Sequence, residues 1–174
     1  MKLRKEFDSI GSISVPGDKY WGASTQRSNK FFNIGKILVN ISVIKSIAII
    51  KRSAAIVHSK DKLIESKITK AIIRASDEII KGKLDNNFPL KVWQTGSGTQ
   101  SNMNVNEVIA NRAIEILRGK KGTKIPVHPN DHVNKSQSTN DVFPTAMHIS
   151  VATETLTKLL PNLKILEKEL KKKS

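Results

Sequence analysis

Apolar residues recur at alternating steps of three and four in four segments of the chain, and polar residues fill the positions between them. The segments span residues 43–57, 64–79, 105–117 and 142–170. This spacing puts the apolar side chains on one face of a helix, so each segment is predicted to be a helix with one buried side. Gly82 and Gly119 mark the ends of the second and third helices, because glycine is favoured just past a helix C-terminus.

Residues 1–35 follow neither a helical nor a strand period and contain turn signals at Gly11, Pro16-Gly17-Asp18 and Gly22. This pattern indicates an irregular amino-terminal arm with short extended pieces. The fold class is therefore predicted to be mainly α. The predicted fold consists of the irregular arm, a small helical domain, and the first long helix of a central helical bundle.

The fourth predicted helix is long and contains a proline. It starts near Asp141 and runs for about 30 residues, or about 45 Å. Pro161 cannot donate the hydrogen bond that would go to the Thr157 carbonyl, so a kink is expected. The apolar stripe needs partner helices that these 174 residues do not supply, and the sequence is expected to end partway through its architecture.

Composition limits the class of protein. The chain has 174 residues, of which 38% are hydrophobic, so it can bury one core. The absence of cysteine excludes disulfides and thiolate metal sites. The first eight residues lack the apolar run of a signal peptide, and the apolar patch at 47–50 is too short to cross a membrane. A cytoplasmic protein without membrane association is expected.

A net charge of +15 is compatible with a nucleic-acid partner or with anionic small molecules. The lysines are spread over predicted helix faces, where a solvated surface is expected. They include Lys45, Lys51, Lys62, Lys67, Lys70 and Lys81. No basic stretch is interleaved with stacking aromatics, as single-strand binders require. Nucleic-acid binding is therefore disfavoured.

Two polar segments each lead into a predicted helix. Residues 96–102 combine glycines with hydroxyl and amide groups, and residues 128–140 are almost entirely polar. Exposed amides and the dipole of a helix N-terminus favour negative charge, so an anion site is predicted there. Residues 138–141 also suit helix capping, and both roles are expected.

The asparagines of the third helix leave two interpretations open, interhelix hydrogen bonding and direct ligand contact. They are Asn102, Asn104, Asn106 and Asn111.

Residues 92–104, 106–108 and 111–113, together with residues 128–148, closely resemble class II fumarase, a member of the aspartase/fumarase superfamily. Pro16, Asp18, Trp21-Gly22 and residues 25–27 match the family's amino-terminal arm. The resemblance implies reversible hydration of fumarate to L-malate without a metal or an organic cofactor. It also implies a homotetramer around a central helical bundle, with sites built from three subunits. Residues 1–137 would form the amino-terminal helical domain with the substrate-binding loops, and residues 138–174 the start of the bundle.

The resemblance also assigns roles to individual residues. Ser97 and Thr99 would bind one substrate carboxylate, with Gly98 allowing a close approach of the backbone. Ser138, Thr139 and Asn140 would supply further donors. His128, Pro129, Asn130 and Asp131 would form an accessory anion site rather than hold the catalytic base. The family's catalytic Thr-His pair and its mobile serine loop do not occur in this sequence, so the isolated chain is predicted to be an inactive amino-terminal part.

Two alternatives stay open at this point. An aspartase-type ammonia lyase of the same superfamily is the nearest, although Trp93-Gln94-Thr95 before the glycine loop favours fumarase. A non-enzymatic basic helical fragment that binds nucleic acid or protein is the other. Protection by dicarboxylates would favour the lyases, and salt-sensitive DNA binding without a dicarboxylate effect would favour the fragment.

Overall fold

The fold is mainly helical with one small sheet, as seen in a computed structural model that describes residues 2–173. Met1 and Ser174, the outer ends of the two predicted domains, lie outside the described residues. Two strands come first, β1 (Leu3–Asp8) and β2 (Gly11–Pro16). Six α-helices follow within the described residues: α1 (Ala23–Phe31), α2 (Ile41–Lys60), α3 (Ser66–Ile80), α4 (Thr99–Ile116), α5 (Thr139–Glu154) and α6 (Leu160–Lys171).

The amino-terminal arm is more regular than its sequence pattern predicts. β1 and β2 form an antiparallel hairpin in which Leu3 pairs with Pro16 and Asp8 with Gly11. The predicted short extended pieces are therefore confirmed. The expectation of an irregular arm is wrong for residues 23–31, which form α1. This helix buries only Ala23, Thr25 and Ser28, so it has no apolar stripe for a periodicity argument to detect.

The core lies between α2, α3, α4 and the beginning of α5. Its fully buried members come from the apolar faces predicted for these helices, among them Ile47, Ile72, Ile79, Val105, Val108, Ile109 and Ala146. Asn40 caps α2 by accepting a hydrogen bond from the Ser42 amide, which satisfies one of the free donors at the helix start. These packed helices form the rigid support for the two polar loops.

The long final helix leaves the core after its first turns. Only Val142, Ala146 and Ser150 of α5 are buried, and no residue of α6 is buried. Residues Thr155–Leu159 form a π-helical segment, so the departure from regular helix comes just before Pro161. Most of the exposed apolar side chains of this helix form a stripe: Val151, Leu156, Leu159, Leu160, Leu163, Leu166 and Leu170. Within residues 2–173, no helix combines the length and apolar character needed to cross a bilayer.

Candidate functional site

Hydrogen bonds to two glutamine side chains hold the first polar loop against the start of α4. Gln94 Oε1 accepts hydrogen bonds from the Ser101 amide at 3.0 Å and from Ser101 Oγ at 3.1 Å. Gln100 Oε1 accepts one from the Thr95 amide at 2.8 Å. Ser97 Oγ and Thr99 Oγ1 lie 3.2 Å apart, and both residues are exposed. The two predicted hydroxyl donors are therefore adjacent and open to solvent.

Gly98 brings this loop against the first turn of α5. It precedes α4 in the left-handed conformation, with φ of 69°. A Cβ on Gly98 would lie 2.2 Å from Phe143 Cγ, closer than any side chain tolerates. The close approach that the structure shows at Gly98 is thus to the Phe143 ring.

The second polar loop ends in a cap on α5. Ser138 Oγ accepts a hydrogen bond from the Asn140 amide at 3.2 Å, so the predicted capping role is confirmed. Ser138 and Asn140 are exposed and Thr139 is half-buried. Asp141 also lies in the first turn, where its charge opposes anion binding in part.

Hydrogen bonds from Asn102 and a packing contact at Gly98 join the two loops. Asn102 Nδ2, in the first turn of α4, donates to Thr139 Oγ1 at 2.9 Å. The ring of Phe143 meets Gly98 on the same side. The structure therefore brings the Ser97 to Thr99 loop and the Ser138 to Asn140 loop together at two helix N-termini.

A buried amide cluster lies beneath these loops. Asn134 Oδ1 accepts hydrogen bonds from Lys51 Nζ at 2.7 Å, Asn102 Nδ2 at 3.1 Å and Asn106 Nδ2 at 3.2 Å. The expectation that Lys51 lies on a solvated face is wrong, because its side chain is 0% exposed. Burial lowers its pKa to about 7. The signal was available, since Lys51 continues the buried stripe of Ile44, Ile47 and Ala48 on α2.

The asparagines of α4 belong to this scaffold and to the anchoring of the arm. Asn104 Nδ2 donates to the Asn87 carbonyl at 3.1 Å, and Asn111 Nδ2 donates to the Tyr20 carbonyl at 2.8 Å. All four asparagines are at most 5% exposed. Of the two interpretations left open by the sequence, the structure favours hydrogen bonding between elements over direct ligand contact.

The His128 segment forms a separate π-helical turn, Pro129–Val133. His128 Nδ1 accepts hydrogen bonds from the Asn130 and Asp131 amides, both at 3.2 Å. The same nitrogen lies 3.2 Å from Asp131 Oδ2. Asn130 and Asp131 are exposed and Pro129 is buried. Within residues 2–173, no hydrogen bond joins this turn to Ser97, Thr99 or residues 138–140.

Glu107 is a buried charged group that sequence reasoning did not single out. Its carboxylate accepts hydrogen bonds from the Gly22 amide at 2.8 Å, the Ser24 amide at 2.8 Å and Thr25 Oγ1 at 2.6 Å. Burial raises the pKa of Glu107, while the donor from Thr25 and the backbone amides lower it. The carboxylate thereby fixes the start of α1, and with it the arm, onto α4.

A family model described as a lyase matches residues 11–174. The mitochondrial fumarate hydratase of Homo sapiens is 57% identical over 174 residues, covering 99% of this chain and 34% of the relative. The class II fumarate hydratase of Thermosynechococcus vestitus is 53% identical over 171 residues, covering 98% of this chain and 37% of the relative.

A solved structure agrees in fold. The class II fumarase of Schistosoma mansoni superposes with a TM-score of 0.91 at 48% identity, covering 94% of this chain and 34% of that chain. The chain therefore spans about a third of the length of the relatives it matches, 34% of the human protein.

Proposed function

This chain belongs to the lyase family whose model matches residues 11–174, and from that membership we propose that it is the amino-terminal part of a class II fumarate hydratase. In this proposal the complete enzyme hydrates fumarate reversibly to L-malate. This part of it supplies substrate-binding loops.

The observation that carries the proposal is the contact between two exposed donor loops at two helix N-termini. Ser97 and Thr99 present adjacent hydroxyls beside the loop that caps α5. Fumarate is a dianion, and addition of water passes through a carbanion whose charge spreads into the neighbouring carboxylate. Fixed donors and helix N-termini stabilise that charge.

Individual roles follow from this chemistry. Ser97 and Thr99 bind one carboxylate, and Gly98 permits the loop to lie close against α5. Ser138, Thr139 and Asn140 supply further donors from the second loop. Neutral donors suit a reversible reaction, because they orient the substrate without the strong ion pair that would slow product release.

The turn at His128 is proposed as an accessory anion site. Its Nδ1 atom faces two backbone amides, and its Nε2 is the ring nitrogen proposed to face the anion. The exposed amide group of Asn130 is a donor, Pro129 fixes the turn, and Asp131 limits how much negative charge the site accepts. The catalytic acid and base are proposed to lie in segments outside these 174 residues, and no metal or organic cofactor takes part.

The architecture proposed for the complete enzyme is a homotetramer. Residues 1–137 form a helical domain with the loops, and residues 138–174 start a central bundle. The exposed leucine stripe of α5 and α6 supports such assembly, since patches of this kind usually mark interfaces. A place in the tricarboxylic acid cycle and a cytoplasmic location remain predictions, which metabolite tracing and cell fractionation test.

The experiment joins this chain to the remaining part of the Thermosynechococcus vestitus relative, with the junction at residue 174; we call this protein the complete subunit. Loss of the ultraviolet absorbance of fumarate is followed on addition of the purified protein. Conversion to malate is expected for the complete subunit and none for the 174-residue chain alone. A folded complete subunit without activity contradicts the proposal. A strict requirement for ammonia redirects it to an aspartase-type lyase, and salt-sensitive DNA binding without dicarboxylate effect redirects it to a basic binding fragment.

A further inference from the structure

Lys51 is a buried cationic side chain without a charged partner. It lies in the middle of α2, and it is 0% exposed. Its Nζ donates to two neutral amide oxygens, Asn134 Oδ1 at 2.7 Å and Gln137 Oε1 at 3.0 Å. Within residues 2–173, no carboxylate forms an ion pair with it. Burying an amine in this way costs stability that an apolar side chain of similar length would not, so core packing alone does not account for it.

The two amides that Lys51 holds fix the turn in front of α5. Asn134 Nδ2 donates to the Gln137 carbonyl at 3.0 Å. Gln137 Nε2 donates to the Val133 carbonyl at 3.0 Å and to the Lys135 carbonyl at 3.2 Å. Because Lys51 draws both amide oxygens toward itself, both N–H₂ groups face the backbone of this turn. The residue that follows the turn is Ser138, the cap of α5.

The same cluster reaches the hydroxyl of Thr139. Asn102 Nδ2 has two hydrogens; one is donated to Asn134 Oδ1 at 3.1 Å and the other to Thr139 Oγ1 at 2.9 Å. Since Thr139 Oγ1 accepts in this bond, its own hydrogen is free to be donated elsewhere. Accepting a hydrogen bond from Asn102 polarises the Thr139 hydroxyl, which strengthens it as an outward donor.

We propose that Lys51 is a positioning residue of the substrate site: it holds Asn134 and Gln137 so that Asn102 keeps the Thr139 hydroxyl aimed at a substrate carboxylate. This inference rests on the proposed function, because it takes the dicarboxylate as the ligand of Thr139. Lys51 itself does not touch the substrate.

The first test is Lys51→Met in the complete subunit, which keeps the length of the side chain and removes Nζ. The matched control is Lys60→Met, because Lys60 is the exposed last residue of the same helix. Lys51→Met is expected to raise KM for fumarate by about tenfold or more, the loss of one hydrogen bond to a charged group, with kcat nearly unchanged. A merely structural defect would reduce the active fraction, and so lower kcat with KM unchanged.

A double-mutant cycle with Thr139→Val tests the path of the effect. If Lys51 acts through the Thr139 hydroxyl, Lys51→Met should change KM by less than about threefold once that hydroxyl is gone, because coupled sites are not additive. An equal increase of KM in both backgrounds overturns the proposal. So does an unchanged KM in Lys51→Met itself.

A second variant and a second measurement keep the test decisive. If Lys51→Met does not fold, Gln137→Met removes one of the two acceptors from a half-buried position and should raise KM in the same direction, again only when Thr139 is present. An unchanged KM in that folded variant also overturns the proposal. If the unmutated complete subunit folds but is inactive, the proposed function fails. The inference is then judged by amide hydrogen exchange at residues 134–140, which Lys51→Met should speed up relative to Lys60→Met. Unchanged exchange overturns it.

Discussion

Gly98→Ala tests how the first loop is held against α5. The backbone of Gly98 has φ of 69°, and a residue with a Cβ in the left-handed region loses about 1–2 kcal/mol. The added Cβ would also lie 2.2 Å from Phe143 Cγ, and overpacking of this kind costs about 1–3 kcal/mol. The loop position seen here should therefore lose about 2–5 kcal/mol.

The assay is KM for fumarate in the complete subunit, together with the thermal unfolding midpoint. A loss of about 2 kcal/mol in the loop corresponds to an increase of KM of about thirtyfold. Gly96→Ala is the matched control in the same loop, because a Cβ there meets nothing within 4 Å, and it should leave KM and the midpoint nearly unchanged.

Phe143→Ala separates the two contributions. In a background without the ring, Gly98→Ala should lose only the backbone part, about 1–2 kcal/mol. If Gly98→Ala keeps both the KM and the unfolding midpoint of the unmutated protein, the reasoning about this loop is refuted. If its effect is equally large with and without Phe143, the steric part is refuted.

Four further predictions concern the donors, the accessory turn, the final helix and the buried lysine. Thr99→Ala and Asn140→Ala in the complete subunit should each weaken fumarate binding about tenfold to a hundredfold; kinetics matching the unmutated enzyme at both sites would refute their assignment. His128→Asn should spare turnover, and a loss of several orders of magnitude in kcat would instead identify His128 as the base. The purified chain should self-associate through the apolar stripe of residues 151–170, so light scattering should give a mass above 19.3 kDa; a well-ordered monomer would contradict this. Burial lowers the pKa of Lys51 to about 7, so the unfolded state binds its proton more tightly above that pH. The free energy of unfolding should therefore rise between about pH 7 and 10, by at most about 1.4 kcal/mol per pH unit, and Lys51→Met should remove that rise in urea titrations at each pH.

The helices that sequence predicts are those with an apolar stripe. α2, α3, α4 and the run from α5 to α6 follow the predicted segments, because each buries one face against the others. The sequence pattern does not predict α1, because this helix buries small and polar side chains. Its start is fixed by Glu107, which lies 85 residues away from Gly22 in sequence. A local pattern contains no trace of such a partner.

The candidate site also has a part that the sequence predicts and a part that only the structure shows. The two loops and their residues come from motif resemblance, and the structure adds that the loops touch through Asn102 and Phe143. The predicted solvated position of Lys51 is wrong, because it follows from residue type and not from helical phase. Its spacing from Ile47 and Ala48 places it on the buried face of α2, and that phase predicts burial regardless of charge.

The polar density of residues 128–140 has two physical origins rather than one. Asn134 and Gln137 point inward and join Lys51 and Asn102, whereas Ser138 and Asn140 are exposed at the helix start. Exposed neutral donors bind a dianion well only if they do not have to reorganise when charge develops. Val133 anchors this segment in the core, and the polar residues that follow it are ordered by the hydrogen bonds beneath them. In the proposed site the inward amides thus hold the outward donors in place, and the same hydrogen bonds help a segment with few apolar residues to keep a defined conformation.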